Sequence, residues 1–487
     1  MIRRSSVLIL SVCLFVCLTG AVKAPVKATA PKVSPSKTAA VASVDRQQPV
    51  LIDLSNQVWS FAETALKETR SAKVLADYAE SQGFKVERGV AGMPTAFIAS
   101  YGEGKPVIGV LGEYDALPGL SQKTQPTKEP VQAGAPGHGC GHNLFGTASL
   151  GAAVAIKEQI AAGKLHGTIR FYGTPAEESV GGKLYMVRDG LFKDVDVVLA
   201  WHPADTTRAD TKSTNAMVDF VVEFRGKTAH AALDPWNGRS ALDGLEIFTH
   251  ALNMMREHVK PTVRMHYVIT DGGDVPNVVP AHAKVWVWVR DVSHASVDEL
   301  MVRVRKMAEG SALAADVEST LRIQSGYYER LMNRTGAHLL QANMDWIGPI
   351  QYTDAEQDFA RAVQKSAGVP EKGLAGDIKP LDESPGDPQG ASSDVGDVSW
   401  NVPVLHFSVA TAPIGSPWHA WPVAACGGMS IGHKGMTFAA KAMAATLVDL
   451  YESPEKRAAI RKEFEESTKG TTYKGYIPDG PPPLPKG

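Results

Sequence analysis

What most restricts the possible folds of this chain is the way its apolar periodicity changes, and then changes back, along 487 residues. Apolar residues fall at helical spacing over 51–66 and 72–78, and short β-type runs follow at 96–100 and 107–111. A small-residue helix is expected over 144–160, a strand over 168–172, a short helix near 184–187 and a strand over 195–201. Strands alternating with helices pack as a largely parallel sheet, which offers ligands to the carboxyl ends of its strands. The texture then switches to strand 217–224, helix 241–258, strands 265–269 and 284–290, helix 297–308 and strand 317–323. That β-α-β-β-α-β order is a complete split-βαβ module of the ferredoxin-like type. After a stretch rich in Gly, Pro and Asp at about 370–393, the first texture returns with strand 402–409 and helix 433–451. The expected fold class is therefore α/β: a discontinuous domain (46–215 and 331–455) with a mixed, mainly parallel sheet flanked by helices, and an inserted ferredoxin-like α+β domain at 216–330.

The ends read differently. Arg3 and Arg4 precede an uncharged apolar run over 7–22, the pattern of a signal peptide, taken here as 1–24. Export to a periplasmic or extracellular location is the expectation, with an uncleaved membrane anchor as the alternative. Residues 25–45 are Ala, Pro, Lys, Val, Ser and Thr in the main and read as a disordered tether, and 456–487 as a C-terminal tail. Cys13 and Cys17 fall in the signal, which leaves Cys140 and Cys426 and no disulfide framework. A net charge of −2 gives no reason to expect nucleic acid, so the partner expected is a small molecule.

Residues with ligand chemistry gather where strands are expected to end. Gly137-His138-Gly139-Cys140-Gly141-His142-Asn143 sets a thiol and an imidazole two residues apart in a glycine-rich loop that opens a helix. An inert core cysteine with a surface histidine would account for that pair alone. Glu177 and Glu178 leave the next strand; in extended backbone their side chains would point opposite ways, so that one could bind metal while the other faces substrate. His202 closes a further apolar strand, and Glu113-Tyr114-Asp115 another. Asp115 could hold a ligating histidine in its proper tautomer, or simply form a turn before Pro118.

Together with Glu113 to Pro118, Pro175 to Glu178, Trp201-His202-Pro203, Gly226-Lys227-Thr228-Ala229-His230-Ala231-Ala232, Asn277-Val278-Val279-Pro280, Ser393 to Trp400 and Gly432 to Met436, the Cys140 loop resembles the M20 family of metallopeptidases, in its cysteine-containing amidohydrolase branch. The likeness runs from roughly residue 50 to 450. It implies two divalent metal ions per subunit, manganese or zinc, with Cys140 bridging them and His142, Glu178, His202 and His419 completing the shells. His433 competes with His419; His419 is preferred because it follows a strand in an irregular loop. Where many relatives open the site with His-x-Asp this chain has Glu113-Tyr114-Asp115, and Asn143 stands where many of the branch have Asp.

The resemblance further implies that Glu177 takes a proton from the attacking water and returns it to the leaving amine, with Asp115 in support. His230, Asn277 and Arg290 match carboxylate- and oxyanion-binding positions in the inserted domain, which would be the dimerisation domain; a solvated charge at a strand end remains the other account of Arg290. The function implied is hydrolysis of an amide that carries a free carboxylate, such as an N-acyl or N-aroyl amino acid (p-aminobenzoyl-glutamate for one) or a dipeptide. A homodimer is expected, or a heteromer with a related subunit. The competing reading is a binding or regulatory subunit that kept the fold without the catalysis.

Overall fold

The computed structural model describes residues 33–384, 386, 388 and 390–485, so the signal peptide read over 1–24 lies outside the described residues. The larger sheet has seven strands: β1 (Lys85–Arg88), β2 (Phe97–Glu103), β3 (Val107–Glu113), β4 (Gly167–Thr174), β5 (Val197–Ala204), β6 (Arg208–Ala209) and, much later in the chain, β11 (Val404–Ala410). Its order is β1-β2-β4-β3-β5-β11-β6. The four central strands are parallel and the flanking pairs antiparallel. β3 and β11 are buried at every position, as expected for strands covered on both faces. Helix His142–Ala161, buried along most of its length, packs against β3 and β4 and against helix Ser430–Glu452.

The second sheet is antiparallel, in the order β10-β7-β9-β8: β7 (Ala216–Arg225), β8 (Arg264–Asp271), β9 (His282–Asp291) and β10 (Glu318–Tyr327). Helices Ala241–Met255 and His294–Ala315 cover one face, and Phe220, Phe224, Leu245, Phe248, Val287 and Val304 form part of a separate apolar core there. The end of β10 returns to the first sheet, where the Tyr327 hydroxyl donates to the Glu177 carbonyl at 3.3 Å and the Ser325 hydroxyl to the Val180 carbonyl at 3.2 Å.

Both terminal readings need correction where residues are described. The tether does not extend to 45, because helix Pro35–Phe61 begins inside it. Its buried residues Ala40, Val44, Gln47, Leu51, Leu54 and Val58 recur at alternating steps of four and three, one continuous stripe that composition alone conceals. The helix packs on His142–Ala161 and Ser430–Glu452, and Lys37 reaches Asp449 at 2.7 Å. The described part of the tail read over 456–487, residues 456–485, is likewise packed onto the rest of the protein. Helix Pro454–Thr468 buries Ile460, Tyr473 packs against the first core and Tyr476 against the second. Two further helices, Arg334–Ile347 and Asp354–Ala367, lie outside the elements expected from the sequence, although Thr353 and Glu356 form a capping box at the start of the second.

Candidate metal centre and substrate cleft

Four parallel strands bring their carboxyl ends to one edge of the sheet, where His202 near the end of β5, Glu177 and Glu178 just after β4, Cys140 and His142 at the end of the long loop after β3, and His419 in the loop after β11 come together. Helix His142–Ala161 starts at the Cys140 loop, which needs its glycines: Gly141 has φ +79°, and a Cβ on Gly137 would lie 2.0 Å from the Leu120 carbonyl oxygen. Glu177 and Glu178 sit in a turn after β4, not in extended backbone, because Ala176 takes a left-handed φ of 62°. The division between the two carboxylates therefore comes from this turn rather than from strand alternation. His419 also has a positive φ, 54°, and its amide donates to the Gly139 carbonyl, which ties its loop to the Cys140 loop.

Ligand atoms of Cys140, His142 and His202 lie within 4.8 Å of one another, as do those of Cys140, Glu178 and His419, and those of Glu113, His142 and Glu177. Cys140 is common to the first two groups and His142 to the first and third. The imidazoles are oriented by their other nitrogen. His142 Nδ1 meets Asp115 Oδ1 at 2.8 Å, and His202 Nδ1 donates to the Pro203 carbonyl at 2.7 Å, so both present Nε2 to the centre. His202 Nε2 is 3.4 Å from Cys140 Sγ, and His419 Nε2 is 3.4 Å from Glu178 Oε2. Asp115 also accepts the Glu178 amide at 2.9 Å, so one carboxylate sets both a histidine and a glutamate. His433, by contrast, faces Asn56 at 2.9 Å on a helix, and Asn143 donates to Ser55 and to the Gly427 carbonyl, which makes it a brace.

Burial holds the acids of this site toward their protonated forms. Burial, followed by Glu113 and Glu178, pushes the Glu177 carboxyl well above its usual range, and burial with Asp115 among its causes holds Glu178 at about 7. Burial and then Glu178 drive the Cys140 thiol far up. His142 Nε2, although 3.2 Å from Glu113 Oε2, and Glu178 Oε1 are buried and make no aligned hydrogen bond. Divalent cations would satisfy these atoms together, and a thiol, imidazoles and carboxylates are donors that zinc or manganese accepts.

Several residues at the site carry no signal that the sequence reading could use. Lys183 is fully buried, and its ammonium lies 2.6 Å from Glu113 and 2.7 Å from Asp394; burial opposes the charge, but these two carboxylates keep it protonated. Nothing local marks it, since Asp394 is 211 positions away. Glu113 stands out in the sequence only as a departure from a motif, yet its Oε2 is 3.2 Å from His142 Nε2. Glu68, which accepts the Ala176 amide at 2.9 Å, belongs to no motif at all.

The centre opens into a cavity of about 670 Å³, lined among others by Cys140, Glu177, Glu178, His202, Arg290 and His419. Arg290 thus belongs to the same cleft. His230 and Asn277 do not line it within one chain. The Ala231 amide donates to the Asn277 carbonyl, which holds them side by side beyond the Arg225 and His282 end of β7 and β9, whereas Arg290 pairs with Met217 at the other end. At about 3.3 Å per residue, that separates them from Arg290 by roughly 25–30 Å along the sheet.

Residues 109–368 match the model of peptidase family M20/M25/M40. The chain is 39% identical over 470 residues to one of the subunits of p-aminobenzoyl-glutamate hydrolase from Escherichia coli (strain K12), covering 91% of this chain and 97% of that one. It is 30% identical to the Xaa-Arg dipeptidase of Mus musculus, covering 88% and 92%. Among solved structures, an aminobenzoyl-glutamate utilization protein from Klebsiella pneumoniae superposes with a TM-score of 0.59 at 19% identity, covering 83% of this chain and 97% of that one. A dinuclear metal-binding M20 peptidase from Bacillus subtilis gives 0.57 at 18% identity, covering 84% and 99%, so both share the fold. With the family model spanning more than half of the chain and a relative aligned over nearly all of it, this chain belongs to peptidase family M20/M25/M40 and is a hydrolase of amide bonds.

Proposed function

We propose that the protein is an exported di-metal amidohydrolase that cleaves N-acyl or N-aroyl amino acids, or dipeptides, carrying a free carboxylate. The observation that carries this reading is the overlap of ligand groups at Cys140 and His142, whose buried ligand atoms include His142 Nε2 and Glu178 Oε1 without an aligned hydrogen bond. Cys140, His142, Glu178, His202 and His419 would hold two ions, which supply Lewis acidity toward water and toward an amide carbonyl when bound. Glu177, whose burial raises its affinity for a proton, takes the proton of the attacking water and passes it to the leaving amine. Asp115 keeps His142 in the tautomer that presents Nε2. Arg290 grips the substrate carboxylate from the second sheet. The activities named for the relatives, on p-aminobenzoyl-glutamate and on Xaa-Arg dipeptides, support the substrate class without choosing between its members.

Placement of His230 and Asn277 far from the cleft of their own chain supports a shared site, in which they serve the neighbouring copy in a dimer. Edge strand β8 leaves Val268 and Ile269 exposed and the adjacent helix leaves Ile247 and Met254 exposed, an apolar border suited to a second copy. Similarity to both of the named subunits of the Escherichia coli hydrolase supports a heteromer as the other form of that assembly. Export rests on the N-terminal pattern of Arg3, Arg4 and the apolar run after them.

The test is metal analysis of Cys140→Ala beside a hydrolysis panel of N-acyl amino acids and dipeptides with manganese- or zinc-loaded protein. The variant should remain folded and lose at least one ion per subunit. Full metal content with wild-type turnover would refute the ligand assignment, and a wild-type protein inactive on the whole panel would refute the substrate class.

A further inference from the structure

The open face of the second sheet carries a charge arrangement that the reaction described above does not use in full. Arg264 on β8 and Arg290 on β9 are direct cross-strand partners. Residues opposed in this way put their Cβ atoms about 4.5–5.5 Å apart on one face, and like charges there destabilise the pair. Both arginines lie on the face away from the helices, since their neighbours Met265 and Val289 are buried in the core under those helices. Among the described residues neither guanidinium has a carboxylate partner. Arg264 donates only to the Pro261 and Val263 carbonyls, at 2.5 and 2.9 Å, and Arg290 lies over the Trp288 ring, 4.9 Å from its centroid.

Arg264, Arg290, Trp286 and Trp288 line a cavity of about 400 Å³. Arg290 and Trp288 also line the metal cleft, so the two spaces are joined at Arg290. Burial weighs against the charge of Arg290, and only the Tyr327 phenol acts in the other direction. Two opposed cations at the mouth of a substrate cleft, one of them stacked on an indole and neither with an acid to relieve it, are the unsatisfied half of a dianion site.

We infer that Arg264 is a specificity-determining residue, and that Arg264 and Arg290 together receive the two carboxylates of a dicarboxylic leaving group, an aspartate or glutamate joined through its amine to the acyl group. Arg290 takes the α-carboxylate and Arg264 the side-chain carboxylate. A neutral side chain leaves Arg264 without its partner, and a basic one is repelled by it. This rests on the amidohydrolase reading above, and it chooses among leaving groups which that reading leaves equal.

The experiment compares kcat/KM for N-benzoyl-L-glutamate, N-benzoyl-L-glutamine and N-benzoyl-L-arginine in the metal-loaded full-length protein. A charge-assisted hydrogen bond of the usual strength predicts a glutamate-over-glutamine preference on the order of 10- to 100-fold, and a poorer arginine substrate still. Arg264→Gln should reduce that preference at least about tenfold, chiefly through KM, whereas Arg264→Lys, which keeps a point charge, should retain part of it. A wild-type ratio near one, or the same ratio in wild type and Arg264→Gln, overturns the inference. Failure of all three amides would instead overturn the amidohydrolase reading. Calorimetric titration with free L-glutamate and L-glutamine, which needs no turnover, then decides the arginine pair by itself: tighter glutamate binding that Arg264→Gln abolishes supports it, and equal binding of the two in wild type refutes it.

Discussion

In the seven-stranded sheet β3 and β11 are buried at every residue, whereas in the four-stranded sheet β8 is largely exposed and β9 alternates between buried and less buried positions. The difference follows from coverage: helices lie on both faces of the first sheet and on one face of the second. In the first region each site residue is held by another. Asp115 sets His142 and Glu178, Lys183 spans Glu113 and Asp394, and the Gly139 carbonyl fixes the His419 loop. The second region presents Arg264, Arg290 and His230 on a face and in loops with few such constraints. On the function proposed above, chemistry that tolerates no displacement would belong to the interlocked region, and discrimination among substrates to the open one.

Substitutions should expose that contrast. The largest effect is expected from Glu177→Gln, which removes the proposed proton carrier while leaving the five proposed metal ligands in place; turnover should fall by about 10²–10⁴-fold with metal content unchanged. Glu178→Gln should lose metal as well, because its carboxylate reaches both His419 and the Cys140 group. If metal analysis finds the two variants alike, the division of labour made by the turn after Ala176 is wrong. Lys183→Met leaves two buried carboxylates facing each other without a cation, and removing one partner of such a buried pair typically costs about 3–5 kcal/mol. Chemical denaturation should show this loss, and a change within experimental scatter would mean that the first region is less tightly interlocked than its contacts imply.

If His230 is the oxyanion donor that the family resemblance implies, His230→Ala should cost about 10²–10³ in rate without loss of metal. If the donor acts on the neighbouring copy, a mixture of His230→Ala with Glu177→Ala contains dimers with one complete site. Random exchange makes about half of the dimers mixed, so activity should recover to roughly a quarter of wild type. Exchange without recovery would confine His230 to its own chain. The smallest effect is expected at the Ser240 hydroxyl, which accepts the Asp243 amide at 3.1 Å and caps the first helix of the second region. Ser240→Ala should lower stability by about 1 kcal/mol and leave kcat unchanged. A loss of activity larger than the loss of stability would show that the open region is coupled to the centre more closely than its contacts imply.

Much of this protein is legible in one dimension. The change of texture at 216 and its return near 402 separate the two sheets, because a strand covered on both faces and one covered on a single face need different side chains. Ligand chemistry at strand ends marks Cys140, His142, Glu177, Glu178 and His202, since a parallel sheet places those ends together whatever the intervening chain does. Helix Pro35–Phe61 is hidden in the composition, which averages over a stripe that only periodicity and a partner surface make visible.

What tertiary structure alone decided are the relations between distant residues. The Lys183 ammonium between Glu113 and Asp394, the Asp115 carboxylate against both His142 and the Glu178 amide, and the opposition of Arg264 to Arg290 depend on distance in space and on strand register. A sequence states which charges exist and how an isolated segment spaces them. Which charge meets which is settled only when the segments pack, because an ion pair or a ligand set is a property of a few ångströms of separation, and residues 211 positions apart acquire that separation only through the fold.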